Sequence, residues 1–510
     1  MKNVVIDRYI GTYLLLAVSA VSLLVTPFNS LDPVNLPKLC LLIVLSSTAL
    51  GLVLSDKLFL FGKPHRAPVV IAGLFILQLV VVLLFDSRTF ALKFYGTASR
   101  NTGFIAYLSL SFLLLASMAS AGYVLIKRYV WALIAVGTVL AFYGLAQSQG
   151  YDFYKFNNAY GSNVFGSFGN PNFQSAFMGI AAATALTLAL FSSLKIYFKL
   201  ALIALVALAI YNVSLSSQQG YLNFMAGFAA AVIVYLFMTK HAVFGWSVLG
   251  LFIIGIFLVL LGILDKGPLA QVIYKSSLQA RGFYWRAAFN MIIHHPFFGV
   301  GMDGFGDWYR RLRPTDYLAK NFTTVSDTAH NIPLDIGSSG GLPLLILYLT
   351  IVGLALHAIV KVLKRKSEFD VYFAAIVAAW VAYQAQSLIS INQLGLGVWG
   401  WSLTGLLIGY EINTRNSAPD KFQKSSRSAK VAAEKLSAGT LVITFLTGAI
   451  GLGIALPPYL AANKFYKALQ SGDANVIQPA AYLQPYDRSR FLYVAQILSL
   501  IHISEPTRPY

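Results

Sequence analysis

The chain has 510 residues, of which 57% are apolar and 11% are charged, and its formal net charge is +19. Soluble domains carry about 25% charged residues, so this composition excludes a soluble multidomain enzyme, a disordered chain and a disulfide-rich secreted module. The sequence therefore predicts an all-α polytopic membrane protein.

Apolar runs long enough to cross the hydrocarbon core of a bilayer, about 20 residues each, predict the membrane spans. We expect thirteen such helices, within a range of 12–14. The runs lie at 9–26, 38–54, 67–85, 102–122, 128–148, 172–191, 197–214, 221–238, 242–262, 332–360, 371–390, 393–410 and 439–461.

These runs divide the chain into an N-terminal transmembrane bundle (1–262), a large loop (263–331), C-terminal transmembrane helices (332–462), a helical tail (463–500) and a terminal stretch (501–510). The placement of Tyr, Ala and Pro in the tail is typical of the start of tetratricopeptide repeats, which makes the tail a candidate for binding a protein partner. The terminal stretch fits no helical pattern, and we interpret it as a truncated or foreign end.

The distribution of the basic residues predicts the orientation in the membrane. When the first residues are placed in the cytoplasm and the spans alternate, cytoplasmic segments hold 20 of the 38 basic residues and the short outer loops hold five. The positive-inside rule then puts the large loop and the tail on the outer face. The positive charge is thus a topology signal, and no nucleic-acid partner is expected. Cys40 is the only cysteine, which excludes a disulfide within the chain.

The segment 281–345 combines Arg281, Arg286 and His330 beside the start of a span. The guanidinium fork of arginine suits phosphate oxygens, and histidine accepts a proton near neutral pH. A site that holds a pyrophosphate and deprotonates a hydroxyl needs this pairing. Alternatively, the arginines reach toward lipid headgroups and His330 binds the backbone of a helix end. Asp327 and Asp335 are both candidates to orient the His330 ring, and the sequence does not choose between them.

The segment 282–294 reads as an amphipathic helix that ends before Pro296. A spacing of five residues sets Arg281 and Arg286 about 140° apart on an ideal helix. They converge on one ligand only if Arg281 precedes the helix or the ligand is large.

Two other patterns in this segment resemble a metal site and a nucleotide-binding site, but neither fits the requirements of such a site. His294 and His295 are adjacent and therefore point in different directions from a helix, without a nearby carboxylate to complete a metal site. The stretch 299–304 matches G-x-G-x-x-G, but it follows a helix and a proline and lacks the preceding strand of a nucleotide-binding site. We expect a tight turn there and no metal site. The glycines from 337 to 341 are expected to allow close helix packing.

The motifs R-x4-R at 281–286, H-P-x-x-G-x-G at 295–301 and H-N at 330–331 resemble those of the O-antigen ligase and O-antigen polymerase superfamily. The elements G-x-x-S-R-N-x-G at 96–103 and GNPN at 169–172 support the resemblance. It implies a GT-C-like helical fold and a metal-independent glycosyltransferase without a cofactor. Such an enzyme moves a glycan from a polyprenyl-pyrophosphate carrier onto a lipid, wall-polymer or protein acceptor outside the bacterial inner membrane.

The resemblance also implies roles for individual residues. His330 would be the base, and Arg281 and Arg286 would hold the pyrophosphate. The residues expected to bind substrate are Arg100, Asn170, Gln219, Asn331 and Asp335. Gln219 stands where the family often has an arginine. Either pyrophosphate binding then depends on Arg100 or other residues, or this branch uses a different donor.

Two alternatives remain open. A polymerase would use the same chemistry to extend the carrier-linked chain. A transporter or flippase for lipid-linked sugars would have charged residues within its spans and inverted repeats. The predicted spans contain few charges, and the polar motifs gather at their outer ends, which favours chemistry at the outer surface.

Overall fold

The computed structural model describes residues 4–26, 31–153, 163–239, 241–263, 266–273, 276–315, 317, 325–365, 368–415 and 436–504. The helices are α1 (Val4–Leu23), α2 (Asn35–Leu54), α3 (Lys57–Phe61), α4 (Arg66–Phe85), α5 (Phe90–Tyr95), α6 (Phe104–Ser120), α7 (Tyr123–Ser148), α8 (Pro171–Phe191), α9 (Ile196–Ser216), α10 (Gln219–Met238), α11 (Ala242–Ile263), α12 (Ala270–Ile273), α13 (Ser276–His294), α14 (Phe305–Leu312), α15 (Ile332–Lys364), α16 (Val371–Ser387), α17 (Leu394–Thr414), α18 (Ala438–Ser471), α19 (Ala474–Ala481) and α20 (Arg488–Ser504). A short 3-10 helix lies at Gly166–Phe168.

The all-α polytopic fold is confirmed. Each of the thirteen predicted runs coincides with a helix, and over the described part of the chain nine helices are long and apolar enough to cross a membrane. These nine are α2, α4, α7, α8, α9, α10, α11, α15 and α18. Helices α6 and α16 have 17 residues each and are almost wholly buried among the others, so they contribute to the core of the bundle.

Local sequence explains where the helices that approach the site begin. The side chain of Asn170 accepts a hydrogen bond from the backbone N–H of Asn172 (2.9 Å), and Pro171 is the first residue of α8. Asn331 caps α15 in the same way by accepting from the N–H of Leu334 (3.0 Å). An asparagine cap followed by a proline in the first turn is a strong helix-start signal, because proline has no N–H to leave unpaired.

The region expected as a large loop is partly helical. Helix α13 begins at Ser276, six residues before the predicted start at 282, and ends at His294 as expected. Arg281 therefore lies inside this helix, and the condition that it precedes the helix is not met.

The tail differs from the expectation at both of its ends. Helix α18 runs unbroken from Ala438 to Ser471 across the expected boundary after 462, so the tail begins as an extension of a membrane helix. The prediction that 501–510 has no helical pattern is wrong for its first residues, because α20 continues to Ser504. Residues 505–510 lie outside the described residues. The first helices of the tail bury a small apolar cluster that includes Phe465 and Ile477.

Helix α15 is broken near its start. Gly341 has φ 74°, and the ladder of helical hydrogen bonds is interrupted there. Backbone N–H groups of the 299–301 loop donate to the carbonyl oxygens of Ser338 (2.8 Å) and Ser339 (3.0 Å). The loop thus satisfies the backbone groups that the break exposes, as a membrane-buried chain requires. The run of glycines up to 341 allows this break as well as close packing.

Polar contacts join several helix ends at one end of the bundle. The side chain of Asn35 donates to the carbonyl of Ser99 (2.6 Å) and accepts from Gln393 (3.2 Å), and Asn331 donates to the carbonyl of Leu388 (2.9 Å). These bonds connect the starts of α2, α15 and α17 with the end of α16 and the loop that follows α5. We call this the polar end of the bundle.

At the opposite end, basic side chains gather around one carboxylate. Arg365 and Arg415 both pair with Glu411, next to the ends of α15 and α17. The two ends of the bundle therefore carry different chemistry.

Candidate functional site

Three segments that are far apart in the sequence meet at the polar end. The Asp303 carboxylate accepts a hydrogen bond from the N–H of Thr97 (2.6 Å). Arg100 donates to both carboxylate oxygens of Asp327 (2.5 and 2.6 Å). The Asp335 carboxylate accepts from the N–H of Ala329 (2.6 Å). These bonds bring 96–103, 299–305 and 325–335 around one pocket.

This pocket, which we call the Arg100 pocket, contains three carboxylates and one guanidinium. Its walls come from α2, α6, α8, α14, α15 and the loops between them. The lining residues are Asn35, Ser99, Arg100, Thr102, Tyr107, Phe173, Asp303, Phe305, Asp327, Thr328, Asp335, Ser339, Ile391, Asn392 and Gln393.

Backbone strain is concentrated around the same pocket. Over the described ranges, four residues other than glycine have positive φ: Ser99 (66°), Asn101 (57°), Asp303 (60°) and His330 (53°). This left-handed conformation is uncommon for residues with a Cβ and costs about 1 kcal/mol or more. All four lie in the three segments that form the Arg100 pocket. Strain of this kind persists at sites where the surroundings fix the geometry, which supports a functional role for this region.

His330 lies two positions after Thr328, which lines the pocket, and is not itself among the lining residues. Its Nδ1 is 3.1 Å from Oγ1 of Thr328, and its ring lies 5.4 Å from the ring of Tyr284. Burial, together with the positive charges of Arg281 and Arg100, lowers the pKa of His330 from its ordinary value to about 4. The imidazole is therefore neutral at pH 7 and able to accept a proton.

Neither Asp327 nor Asp335, the two candidates for orienting the His330 ring, hydrogen-bonds to it. Asp327 is paired with Arg100, and Asp335 binds the backbone two residues after Asp327, while Thr328 holds the ring. Asp327 acts on His330 through its charge, which raises the pKa of the imidazole and partly opposes the arginines.

Arg281 and Arg286 differ in their exposure to solvent. Arg281 is partly buried, and burial lowers the pKa of its guanidinium. Its charge is among the strongest that act on His330. Arg286 is exposed, and its guanidinium lies over the ring of Phe283 at 4.7 Å. The two arginines share one continuous helix and face about 140° apart. Arg281 and Arg100 are thus the cations that act most strongly on His330.

Three other predicted residues have mainly structural contacts. Asn170 and Asn331 cap α8 and α15, and Asn331 also binds the carbonyl of Leu388. Gln219 is buried at the start of α10 and donates to the side chain of Gln386 on α16. Within the described residues, these three do not line the Arg100 pocket.

The two adjacent histidines, His294 and His295, contact different groups. Nδ1 of His294 lies 2.8 Å from the carbonyl of Asn290, whereas the ring of His295 packs on Trp308 at 4.5 Å. The two histidines therefore have separate partners. In the portion of the chain that the structure describes, no group of three His, Cys, Asp or Glu residues is arranged to hold a metal ion.

The sequence analysis missed Asp303, which is partly buried and accepts the hydrogen bond from Thr97. Burial raises the pKa of its carboxyl, whereas Arg100 and the Thr97 N–H act to lower it. The available signal was its position inside the glycine-rich stretch 299–304, which we had interpreted only as a turn. A second unpredicted feature is Arg88, which pairs with Asp86 (2.7 Å) and donates to the carbonyl of Met302 (2.6 Å), fixing the residue before Asp303.

Residues 172–349 match the model of a family described as O-antigen ligase. This part of the chain is similar to the O-antigen ligase family. The resemblance to the superfamily is thereby confirmed, and the matched segment contains Arg281, Arg286 and His330. Arg100 and the helical tail lie outside it, so the tetratricopeptide character of the tail stays a prediction. No protein of curated function matches the chain.

Proposed function

We propose that the protein transfers a glycan from a polyprenyl-pyrophosphate carrier to an acceptor hydroxyl or amino group at the outer face of the bacterial inner membrane. The observation that carries this proposal is the imidazole of His330 at the polar end of a membrane-spanning bundle, held neutral by burial and by the charges of Arg281 and Arg100. The acceptor is a lipid, a wall polymer or a protein.

The chemistry needs one base and cationic side chains that stabilise the leaving group. His330 takes the proton of the acceptor hydroxyl, and the acceptor oxygen attacks the anomeric carbon of the carrier-linked sugar. The bond from that carbon to the pyrophosphate oxygen breaks, and the electron pair leaves with the polyprenyl pyrophosphate. Arg281 and Arg100, with Arg286 reaching from the exposed side of α13, stabilise the negative charge that develops on the leaving group. A single displacement inverts the anomeric centre and requires no metal or cofactor.

The ion pair between Arg100 and Asp327 allows the donor pyrophosphate to replace the Asp327 carboxylate on the Arg100 guanidinium. A pyrophosphate presents the same fork of two oxygens that the Asp327 carboxylate presents, so the donor competes with Asp327 for the guanidinium. Asp327 is 57% exposed and is therefore easily solvated once it is displaced. Gln219 contributes no charge, which leaves the pyrophosphate dependent on the arginines.

The basic residues at the opposite end of the bundle support the orientation. Lys361, Lys364, Arg365 and Arg415 lie there together, and the positive-inside rule assigns that end to the cytoplasm. The polar end, with His330, then faces outward.

A polymerase that extends the carrier-linked chain uses the same residues and is the second candidate. The transporter alternative would need charged groups along a path through the bilayer, and the pocket described above lies instead at the helix ends.

The test uses the full chain in lipid vesicles with a polyprenyl-pyrophosphate-linked oligosaccharide, candidate acceptors and EDTA. We expect acceptor-dependent release of polyprenyl pyrophosphate that is lost in His330→Ala and retained in the matched control His294→Ala, whose side chain is exposed on α13. Product size then separates a ligase from a polymerase. If the carrier moves between leaflets equally in both variants and no polyprenyl pyrophosphate is released, the glycosyltransferase proposal is refuted and the transporter alternative is supported.

A further inference from the structure

A second pocket lies between the helical tail and the loop that carries Arg100. Helices α18 and α20 and the turn before α20 form one side of it, and residues from 31–36 and 91–101 form the other. We call it the tail pocket. Ser99 lines both the tail pocket and the Arg100 pocket, so the two are neighbours. An ion pair between Arg488 and Asp307 (3.6 Å) connects the start of α20 with α14.

The lining of the tail pocket combines aromatic rings with charged groups. Tyr486 and Tyr493 are 39% and 43% exposed. Between them in the sequence, the Asp487 carboxylate and the Arg490 guanidinium lie 3.9 Å apart. An exposed aromatic ring offers a flat apolar face, a carboxylate accepts hydrogen bonds and a guanidinium donates them. A sugar ring needs these three things, because it has an apolar face and hydroxyl groups that both donate and accept.

Two lining residues also have buried polar atoms without hydrogen-bond partners among the residues described. These atoms are Oδ1 of Asn101 and Nε of Arg490, whose terminal nitrogens donate to the carbonyls of Leu483 and Pro485. Unpaired buried polar atoms are few in native proteins. One atom needs a donor and the other an acceptor, and hydroxyl groups supply both, whereas a prenyl chain supplies neither.

We infer that the tail pocket binds a saccharide unit of the glycans on which the Arg100 pocket acts. This inference rests on the proposed function and deepens it, because it assigns the tail to substrate binding. The saccharide belongs either to the carrier-linked donor or to the acceptor.

The experiment measures KM and kcat for donor and acceptor separately in vesicles that contain the full chain. Arg490→Gln removes the charged donor of the pocket. Ala462→Phe fills the pocket from α18 without removing a hydrogen bond, and Ala449→Phe, on the exposed face of the same helix, is its matched control. We expect Arg490→Gln to raise one KM about tenfold, as for a lost hydrogen bond to a charged group, with kcat nearly unchanged. Ala462→Phe should raise the same KM because its ring takes the place of the saccharide.

The substrate whose KM rises identifies the source of the saccharide. Transfer by the wild type with both KM values unchanged in Ala462→Phe would overturn the inference and leave the proposed function intact. If the wild type transfers nothing, the proposed function fails, and calorimetric titration with a carrier-free oligosaccharide then decides. If Ala462→Phe weakens the binding of the oligosaccharide and Ala449→Phe does not, the saccharide site is still supported. Equal binding by the wild type and both variants would refute it.

Discussion

The low pKa of His330 predicts an unusual pH profile for transfer. The ordinary pKa of histidine is 6.5, and burial together with Arg281 and Arg100 lowers that of His330 to about 4. A difference of about 2.5 corresponds to about 3 kcal/mol against the protonated form at 1.36 kcal/mol per pH unit. Because the pKa is lowered, the active neutral base is already present well below neutral pH.

The transfer rate should therefore stay nearly constant over a pH range in which a base with the ordinary histidine pKa would become protonated and inactive. At pH 5.5 a histidine of pKa 6.5 is about 90% protonated, whereas one of pKa 4 is about 3% protonated. We expect kcat/KM, which reports the free enzyme, to change less than about twofold between pH 7.5 and 5.5. An unshifted base would lose about tenfold over the same range.

The assay is initial-rate transfer in vesicles at subsaturating donor from pH 4 to 8. Arg281→Gln should move the acid limb upward, toward but not as far as 6.5, because the buried environment remains. Arg310→Gln removes an exposed arginine of α14 and should leave the limb in place. An acid limb near 6.5 in the wild type would refute the reasoning that His330 is a buried base beside two cations.

Three further perturbations test the site. Gly299→Ala should abolish the folded site, because its φ is +62° and a Cβ would lie 2.3 Å from the backbone of α15, whereas Gly353→Ala has open space and should leave the melting temperature nearly unchanged. Arg100→Gln should raise the donor KM about tenfold or more, as for a lost charged hydrogen bond. Asp327→Asn should lower the donor KM or leave it unchanged. A higher donor KM in Asp327→Asn would contradict the proposal that the donor and Asp327 compete for Arg100. Asn331→Ala removes a helix cap and should lower the free energy of unfolding by about 1–2 kcal/mol without moving the pH profile of transfer, which thermal melting and the rate assay check.

Much of the fold could be predicted from the sequence because membrane spans have a simple signal. Runs of about 20 apolar residues suffice to identify a span, and asparagine–proline starts such as Asn170–Pro171 mark the first turn. The break at Gly341 could not be predicted in this way. It depends on the 299–301 loop, which reaches α15 only in the folded chain.

Part of the candidate site could also be predicted from the sequence. His330 and Arg281 stand out because charged and titratable residues are rare in this chain. The partner of Arg100 could not be read from the sequence, since Asp327 lies 227 positions away. Asp303 was hidden for the same reason, because its contact with Thr97 joins two loops from different parts of the chain.

The most direct test of the central claim follows the bond that breaks. Phosphorus NMR of wild-type vesicles with carrier-linked oligosaccharide and acceptor resolves the sugar-linked pyrophosphate from free polyprenyl pyrophosphate. The account predicts stoichiometric conversion of one to the other as the acceptor gains the glycan, with no conversion in His330→Ala. An unchanged phosphorus spectrum for the wild type, or equal conversion by the variant, would contradict it.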